Sequence, residues 1–337
     1  MILLQKKTKP TGLSKTAAAL VIIAAAFLKS ASFSPVTSAP SAPNVQESES
    51  VIVIEDNALP AQNDEFIPKE SFLYTPEQDK NEPVYTDVSA FKKEDIKVLN
   101  NTALNLDYWS LLNEELNFKS AEANSPSVLI IHTHASEAYT PSEKYTYEPT
   151  DPSRTEDTNY NMIRVGEEIA AGLVSVGIGV YHETELFDYP TYNGSYTRAL
   201  ERINELLELY PTIQIILDIH RDSLVLADGT EYAKVCRIND EDAAEILLVV
   251  GSDEGQLSHP NWKENLKFAL QLERIMEVKY DDLLRNLNLR KERFNQHATI
   301  GSLIIEVGCA GNTLEQALCA ARAFSDCAGE IILQALS

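Results

Sequence analysis

The sequence predicts an α/β domain, a mostly parallel central sheet with helices on both faces, preceded by an N-terminal anchor and a disordered polar linker. Three observations predict it. Continuous β-branched runs recur at 127–134, 213–220 and 302–308, the pattern of strands buried on both faces of a parallel sheet. Helically spaced apolar residues lie between such runs, and strands alternating with helices place helices on both sides of the sheet. Upstream of all this, a lysine-flanked apolar stretch gives way to a long segment without pattern.

The elements follow in order. Lys6, Lys7, Lys9 and Lys15 precede an unbroken apolar run of 12 residues from Ala17 to Leu28, the layout of a secretory signal or signal anchor. An uncleaved anchor over 1–31, cytoplasmic at its N-terminus by the positive-inside rule, is preferred. The linker, 32–94, is rich in Pro, Ser, Glu, Asp and Asn, and such composition buries too little apolar surface to offset chain entropy. The patterned domain spans 95–337. It opens with a lead-in strand and a short helix, followed by the strand Ser127–His134. A helix is expected over Asn159–Val174, with Met162, Ile163, Val165, Ile169 and Leu173 on one side. Then come a strand at Ile178–Glu183, a helix at Tyr196–Leu209 and a buried strand at Ile213–His220. Further strands are expected at Lys234–Arg237 and Ile246–Val250, a helix at Trp262–Met276, the last buried strand at Ser302–Gly308 and a closing helix at Thr313–Ala335.

Composition excludes some functions. The chain has 337 residues and a formal charge of −23, from 51 acidic against 28 basic side chains. That is the opposite of the basic footprint nucleic acid requires. The four cysteines, Cys236, Cys309, Cys319 and Cys327, form no C-x-x-C pair, which argues against a zinc ribbon. They read as small apolar residues of a buried strand and helix rather than a disulfide pair. There is no G-x-S-x-G elbow and no phosphate-binding glycine loop, which disfavours acyl-enzyme and nucleotide chemistry.

Chemistry concentrates at the ends of three buried strands. The first ends in His132-Thr-His134 with Glu137 just beyond, the central one in Asp218-Ile-His220-Arg221-Asp222, and the last carries Glu306. Ligands of open α/β sheets bind outside the carboxyl ends of strands, so His134, His220 and Glu306 are expected to converge. Two imidazoles and a carboxylate suit a catalytic zinc with an open position, and a second carboxylate can move the proton of an attacking water. Strand alternation sends His132 and His134 to the same side, so either could ligate; His134, further past the strand end, is favoured. Arg221 is expected either to bind substrate at the oxyanion or to pair with Asp222. His297 is expected to line the pocket, while His182 and His259 are weaker candidates.

The blocks VLIIHTHASEAYTPS, RTEDTNYNMIRVGEEIAAGL, ILDIHRDS, HPNWKENLKFALQL and RFNQHATIGSLIIEVGCAGNTLEQALCAARAF resemble the stage II sporulation protein P family of endospore-forming bacteria, in the right order and with the same anchor-plus-linker layout. The resemblance implies a zinc amidase-like fold and a zinc-dependent N-acetylmuramoyl-L-alanine amidase that strips stem peptides from peptidoglycan, with endopeptidase activity on cross-links. It further implies action during forespore engulfment, with stage II sporulation proteins D and M as partners. The catalytic domain would then sit on the extracytoplasmic side of the mother-cell membrane, facing the septum, held by the N-terminal helix.

More distantly the domain is similar to zinc amidases of cell separation. That similarity implies Zn2+ ligation by His134 and His220, with Glu306 catalytic. The remaining ligand is left between Glu137 and Asp157. Glu137 is preferred because Glu reaches further and HTHASE looks like one metal-binding loop, whereas Asp157 could instead cap its helix. Two rival readings stay open: a non-catalytic wall-binding scaffold on the same fold, and a metallopeptidase acting on cross-links alone.

Overall fold

The buried apolar runs form the middle of one eight-stranded sheet. The computed structural model describes residues 72–74, 85–149, 153–224, 226, 230–255 and 257–337, all within one compact unit. In chain order the elements are β1 (Phe72–Tyr74), β2 (Val98–Asn100), α1 (Tyr108–Leu112), β3 (Val128–Ile131), α2 (Met162–Ser175), β4 (Val180–His182), α3 (Ser195–Leu209), β5 (Ile215–Asp222), β6 (Val235–Ile238), β7 (Glu241–Ala244), β8 (Ile246–Gly251), α4 (Trp262–Lys279), β9 (Leu287–Arg290), β10 (Gly301–Cys309) and α5 (Leu314–Leu336). The sheet order is β1-β4-β3-β5-β10-β8-β9-β2, and β6 with β7 makes a separate hairpin. Neighbours in the large sheet run parallel except β1 against β4 and β8 against β10. The α/β class and the mostly parallel sheet are as expected.

Side-chain alternation divides the sheet between two layers. Val128 and Ile130 of β3, Ile215, Leu217 and Ile219 of β5, and Leu303, Ile305 and Val307 of β10 face the main core with α2, α4 and α5. Leu129, Ile131, Tyr181 and Ile216 face the other side, where α3 covers them with Ala199, Ile203 and Leu206. On that second side, Ile304 of β10 and Leu247 and Val249 of β8 form a smaller cluster with Phe294. By the same alternation Asp218 and His220 share the side of Ile216, and Glu306 that of Ile304.

Three strands, β1, β7 and β9, were not expected. Each has three or four residues, and β7 reads Glu-Asp-Ala-Ala, a composition poor in strand formers. The strand expected through His134 stops at Ile131, and the helix expected from Asn159 starts at Met162 behind an Asn161 cap that accepts from the Ile163 amide.

The anchor expected at 1–31 lies outside the described residues, as does most of the linker. Among the described residues no helix is long and apolar enough to cross a membrane. The far end of the linker departs from expectation. Phe72–Tyr74 pairs with β4, the Thr86 amide and hydroxyl both bond to the Glu330 carboxylate, and Phe91 is buried in the main core. The ordered unit therefore begins before residue 95. One aromatic side chain and a few backbone hydrogen bonds suffice for this, and they leave little trace in composition.

Candidate active site

The site is assembled by three adjacent strands, β3, β5 and β10. Glu306 is in register with His220 across the β5–β10 pair. His134 comes from the turn after β3, where the Glu137 amide bonds to the His134 carbonyl at 3.1 Å. That turn is what corrects the expectation about His132 and His134. Alternation holds only to the strand end at Ile131, so the two imidazoles go to opposite layers.

His132 turns into the main core. Its Nε2 lies 2.8 Å from His182 Nε2, and its Nδ1 lies 3.2 Å from the Ile219 carbonyl. Burial lowers the His132 pKa to about 4 and drives His182 well below the usual imidazole range. The pair packs on α2 where Gly166 leaves room: a Cβ there would stand 2.4 Å from His132 Cε1 and 2.8 Å from His182 Nε2. Neither ring joins the cluster of His134, Glu137 and His220.

His134 and His220 meet edge to face, with ring centroids 5.3 Å apart. Both are buried, and neither Nε2 has a hydrogen-bond partner among the described residues. His220 Nε2 does lie 2.9 Å from Asp218 Oδ1, an ion-pair contact when the ring is protonated. His220 Nδ1 is 3.6 Å from Glu137 Oε2. Asp218 is in turn fixed by the Thr133 amide (2.8 Å) and hydroxyl (2.6 Å).

Charge in the cluster is set by burial and neighbours. Burial pushes the His134 pKa down to about 3, leaving a neutral imidazole. Burial also disfavours charge on His220, but Asp218 and Glu137 outweigh it and raise its pKa well above the usual value. Glu137 loses solvent too, yet Arg221 and His220 hold its carboxyl well below the ordinary carboxylate range. Glu306 goes the other way: burial, reinforced by Asp222, pushes its pKa up to about 8. Its Oε2 is buried without a hydrogen-bond partner among the described residues.

The other expected residues are placed as follows. Asp157 is exposed and accepts from the Asn159 amide (3.0 Å) and side chain (2.7 Å). It neither joins the cluster nor caps α2, so of the two alternatives only Glu137 lies among the imidazoles. Arg221 does not present its guanidinium to an open site, contrary to expectation. Its Nε donates to the Ala138 carbonyl (2.9 Å), its Nη2 to the Ser153 carbonyl (2.8 Å), and Nη1 lies 3.8 Å from Glu137 Oε1. Its job is to brace the Glu137 loop. The Asp222 carboxylate pairs with Arg285, and Arg221 Nη1 reaches only the Asp222 backbone carbonyl, at 3.5 Å. His297 is half-buried, and its backbone carbonyl accepts from Asn261 at 3.2 Å. Its neighbours Phe294 and Asn295 reach Tyr196 of α3, so His297 lies on the segment flanking the site, without a contact to the cluster. His259 is buried beside it, and all four cysteines are free and buried.

Sequence reasoning missed several neighbours. Arg154 bridges Glu137 (3.3 Å) and Asp188 (2.8 Å). Tyr192 stacks on His134 with centroids 4.4 Å apart at 11°, and Ser195 Oγ lies 3.3 Å from His134 Nδ1. These come from loops and a helix start with no periodic signal. Asp218 was legible: two residues before His220 on one strand, it had to share that residue's face.

The donor set suits the metal that the resemblance implies. Two buried imidazoles and an ionised carboxylate are zinc-type ligands once His220 gives up its proton. Among the described residues, however, no group of three or more His, Cys, Asp and Glu side chains stands arranged to hold a metal ion. The chemistry fits, and the arrangement is not that of a ready-made cage.

Comparison with solved structures returns amidases at low similarity. An N-acetylmuramoyl-L-alanine amidase from Clostridium difficile 630 matches with a TM-score of 0.37 and 14% identity, over 63% of this chain and 97% of that one. The catalytic domain of CwlV, an N-acetylmuramoyl-L-alanine amidase from Bacillus (Paenibacillus) polymyxa var. colistinus, matches with a TM-score of 0.36 and 11% identity, over 62% of this chain and 97% of that one. The arrangement of the site therefore rests on this chain's own geometry. Among curated proteins, Stage II sporulation protein P of Bacillus subtilis (strain 168) is 30% identical over 224 residues, covering 63% of this chain and 53% of that protein. The match thus spans about half the length of that relative. The family model for Stage II sporulation protein P (SpoIIP) matches residues 15–328, and the chain belongs to that family.

Proposed function

We propose that the chain is a zinc-dependent N-acetylmuramoyl-L-alanine amidase that removes stem peptides from peptidoglycan. The observation that carries this reading is the convergence of His134, Glu137 and His220 beside Glu306, a carboxyl whose pKa is pushed up to about 8 by burial. His134, Glu137 and His220 would hold Zn2+. When bound, it would supply Lewis-acid chemistry at the site. Glu306 takes the proton of the attacking water and delivers it to the leaving amine, a double role that suits a carboxyl with a raised pKa. Arg221 keeps Glu137 ionised, and Arg221 and Arg154 hold its loop in place. Tyr192 and Tyr196 wall the His134 side of the site.

Family membership supports the wider setting. In this reading the chain acts in engulfment during sporulation, with stage II sporulation proteins D and M, and also cleaves peptide cross-links. An N-terminal anchor holds the domain on the outer side of the mother-cell membrane, the linker giving it reach. The test uses purified peptidoglycan and mass spectrometry of the products. His134→Ala and His220→Ala are expected to abolish release of free stem peptides while the chain stays folded. Unimpaired release by either variant contradicts the ligand assignment, and products cut only within cross-links would identify a peptidase instead.

A further inference from the structure

His134 lies beyond the end of β3, so strand pairing does not orient its ring. Its orientation comes from residues 192–196. Tyr192 stacks on one face, Tyr196 meets the ring edge-on with centroids 5.4 Å apart at 88°, and Ser195 Oγ lies 3.3 Å from Nδ1. Ser195 is itself buried.

This stretch is firmly held. Gly194 turns the chain into α3 at φ 83°, a left-handed conformation that side chains with a Cβ rarely adopt. The Arg198 guanidinium donates to the carbonyls of Asn193 (3.1 Å), Thr191 (2.5 Å) and Phe187. Asp188, at the other end of the loop, accepts from the Ser136 hydroxyl (2.5 Å) and from Arg154 (2.8 Å). Loop and helix start form a fixed cradle for one imidazole.

We propose that Ser195 is the positioning residue for His134, accepting the Nδ1 hydrogen so that the Nε2 lone pair is left free for a divalent cation. A neutral imidazole carries one N–H. With the hydrogen on Nε2, a buried N–H would have no acceptor, which costs ~1–3 kcal/mol. With it on Nδ1, Ser195 accepts it, and the lone pair at Nε2, which has no partner among the described residues, is what a cation needs. Partners of this kind fix ring orientation and tautomer at metal sites, and their loss typically lowers metal affinity ~10–100-fold. The inference rests on the metal-dependent reading of the site.

Zinc affinity of the purified chain, measured by competition with a chromophoric chelator, tests it. Ser195→Ala is expected to weaken zinc binding about 10–100-fold, whereas Ser195→Thr, which keeps the hydroxyl, stays within about threefold of the parent. If the alanine variant does not fold, Ser195→Cys, nearly isosteric but with only a weak sulfur acceptor, carries the same expectation. Parental affinity in the Ser195 variants, with affinity lost in His134→Ala, overturns the role of Ser195 and leaves the metal reading standing. Parental affinity in His134→Ala as well overturns both.

Discussion

At the scale of single residues, the two carboxylates of the site differ because their surroundings differ. Glu137 has Arg221, Arg154 and His220 around it and stays ionised, while Glu306, half-buried with its Oε2 shielded from solvent near Asp222, favours its proton. Glu306→Gln keeps the shape and removes the group proposed to carry the proton. It is expected to lower turnover by ~10²–10⁴ with no loss of stability, checked by product release and thermal melting on the same preparation. Arg221 acts through Glu137. Arg221→Met removes donors from three backbone carbonyls, those of Ala138, Ser153 and Asp222, and leaves a buried carboxylate short of its cation, so a loss of ~3–5 kcal/mol is expected in urea unfolding. Arg221→Lys should not restore it, since an ammonium cannot span the Ala138 and Ser153 carbonyls as the planar guanidinium does. The roles of these residues were only partly legible. The strand-end positions of His134, His220 and Glu306 follow from sequence, but Arg221's direction depends on where the Ala138 and Ser153 carbonyls lie in space.

Among elements, two contacts decide stability away from the chemistry. The first is the close approach of α2 to the sheet over the His132–His182 pair. Gly166→Ala would drive a methyl group into both rings, and overpacking of this kind costs ~1–3 kcal/mol. A lowered melting temperature checks this. The second joins α4 to β2. Glu273 of α4 accepts the Lys97 amide at 2.5 Å, and burial, with Glu277 adding to it, raises its pKa from 4.5 to about 7. Between those values the folded chain holds a proton that the unfolded chain has released. Its contribution to stability is therefore complete below the unfolded value and is lost as pH rises to about 7. Glu273→Gln is expected to remove that slope and to be the more stable form at about pH 8, as read from urea midpoints across the range. Element types were legible wherever apolar runs were long, as in β5 and β10. They were not legible for β1, β7 and β9, where pairing with a neighbour rather than residue preference makes the strand. The strand end at Ile131 was hidden for a related reason: HTH continues the period of VLII, and only the turn joining His134 to Glu137 breaks it.

On the scale of the whole molecule, the sheet gathers residues far apart in sequence at the ends of three neighbouring strands, β3, β5 and β10. Parallel strands put their carboxyl ends on one side, so this meeting was readable from three buried runs alone. The early start of the ordered unit was not, because Phe91 and the Thr86–Glu330 contact sit in a stretch whose composition is that of a linker. The claim that matters most is that the gathered residues make a metal-dependent amide hydrolase. The most direct measurement incubates the purified chain with peptidoglycan, with chelator, and with chelator followed by zinc. A metal-dependent amidase releases free stem peptides in the first case, none in the second and recovers release in the third. Release that chelation leaves untouched, or no release at any zinc concentration, would contradict it.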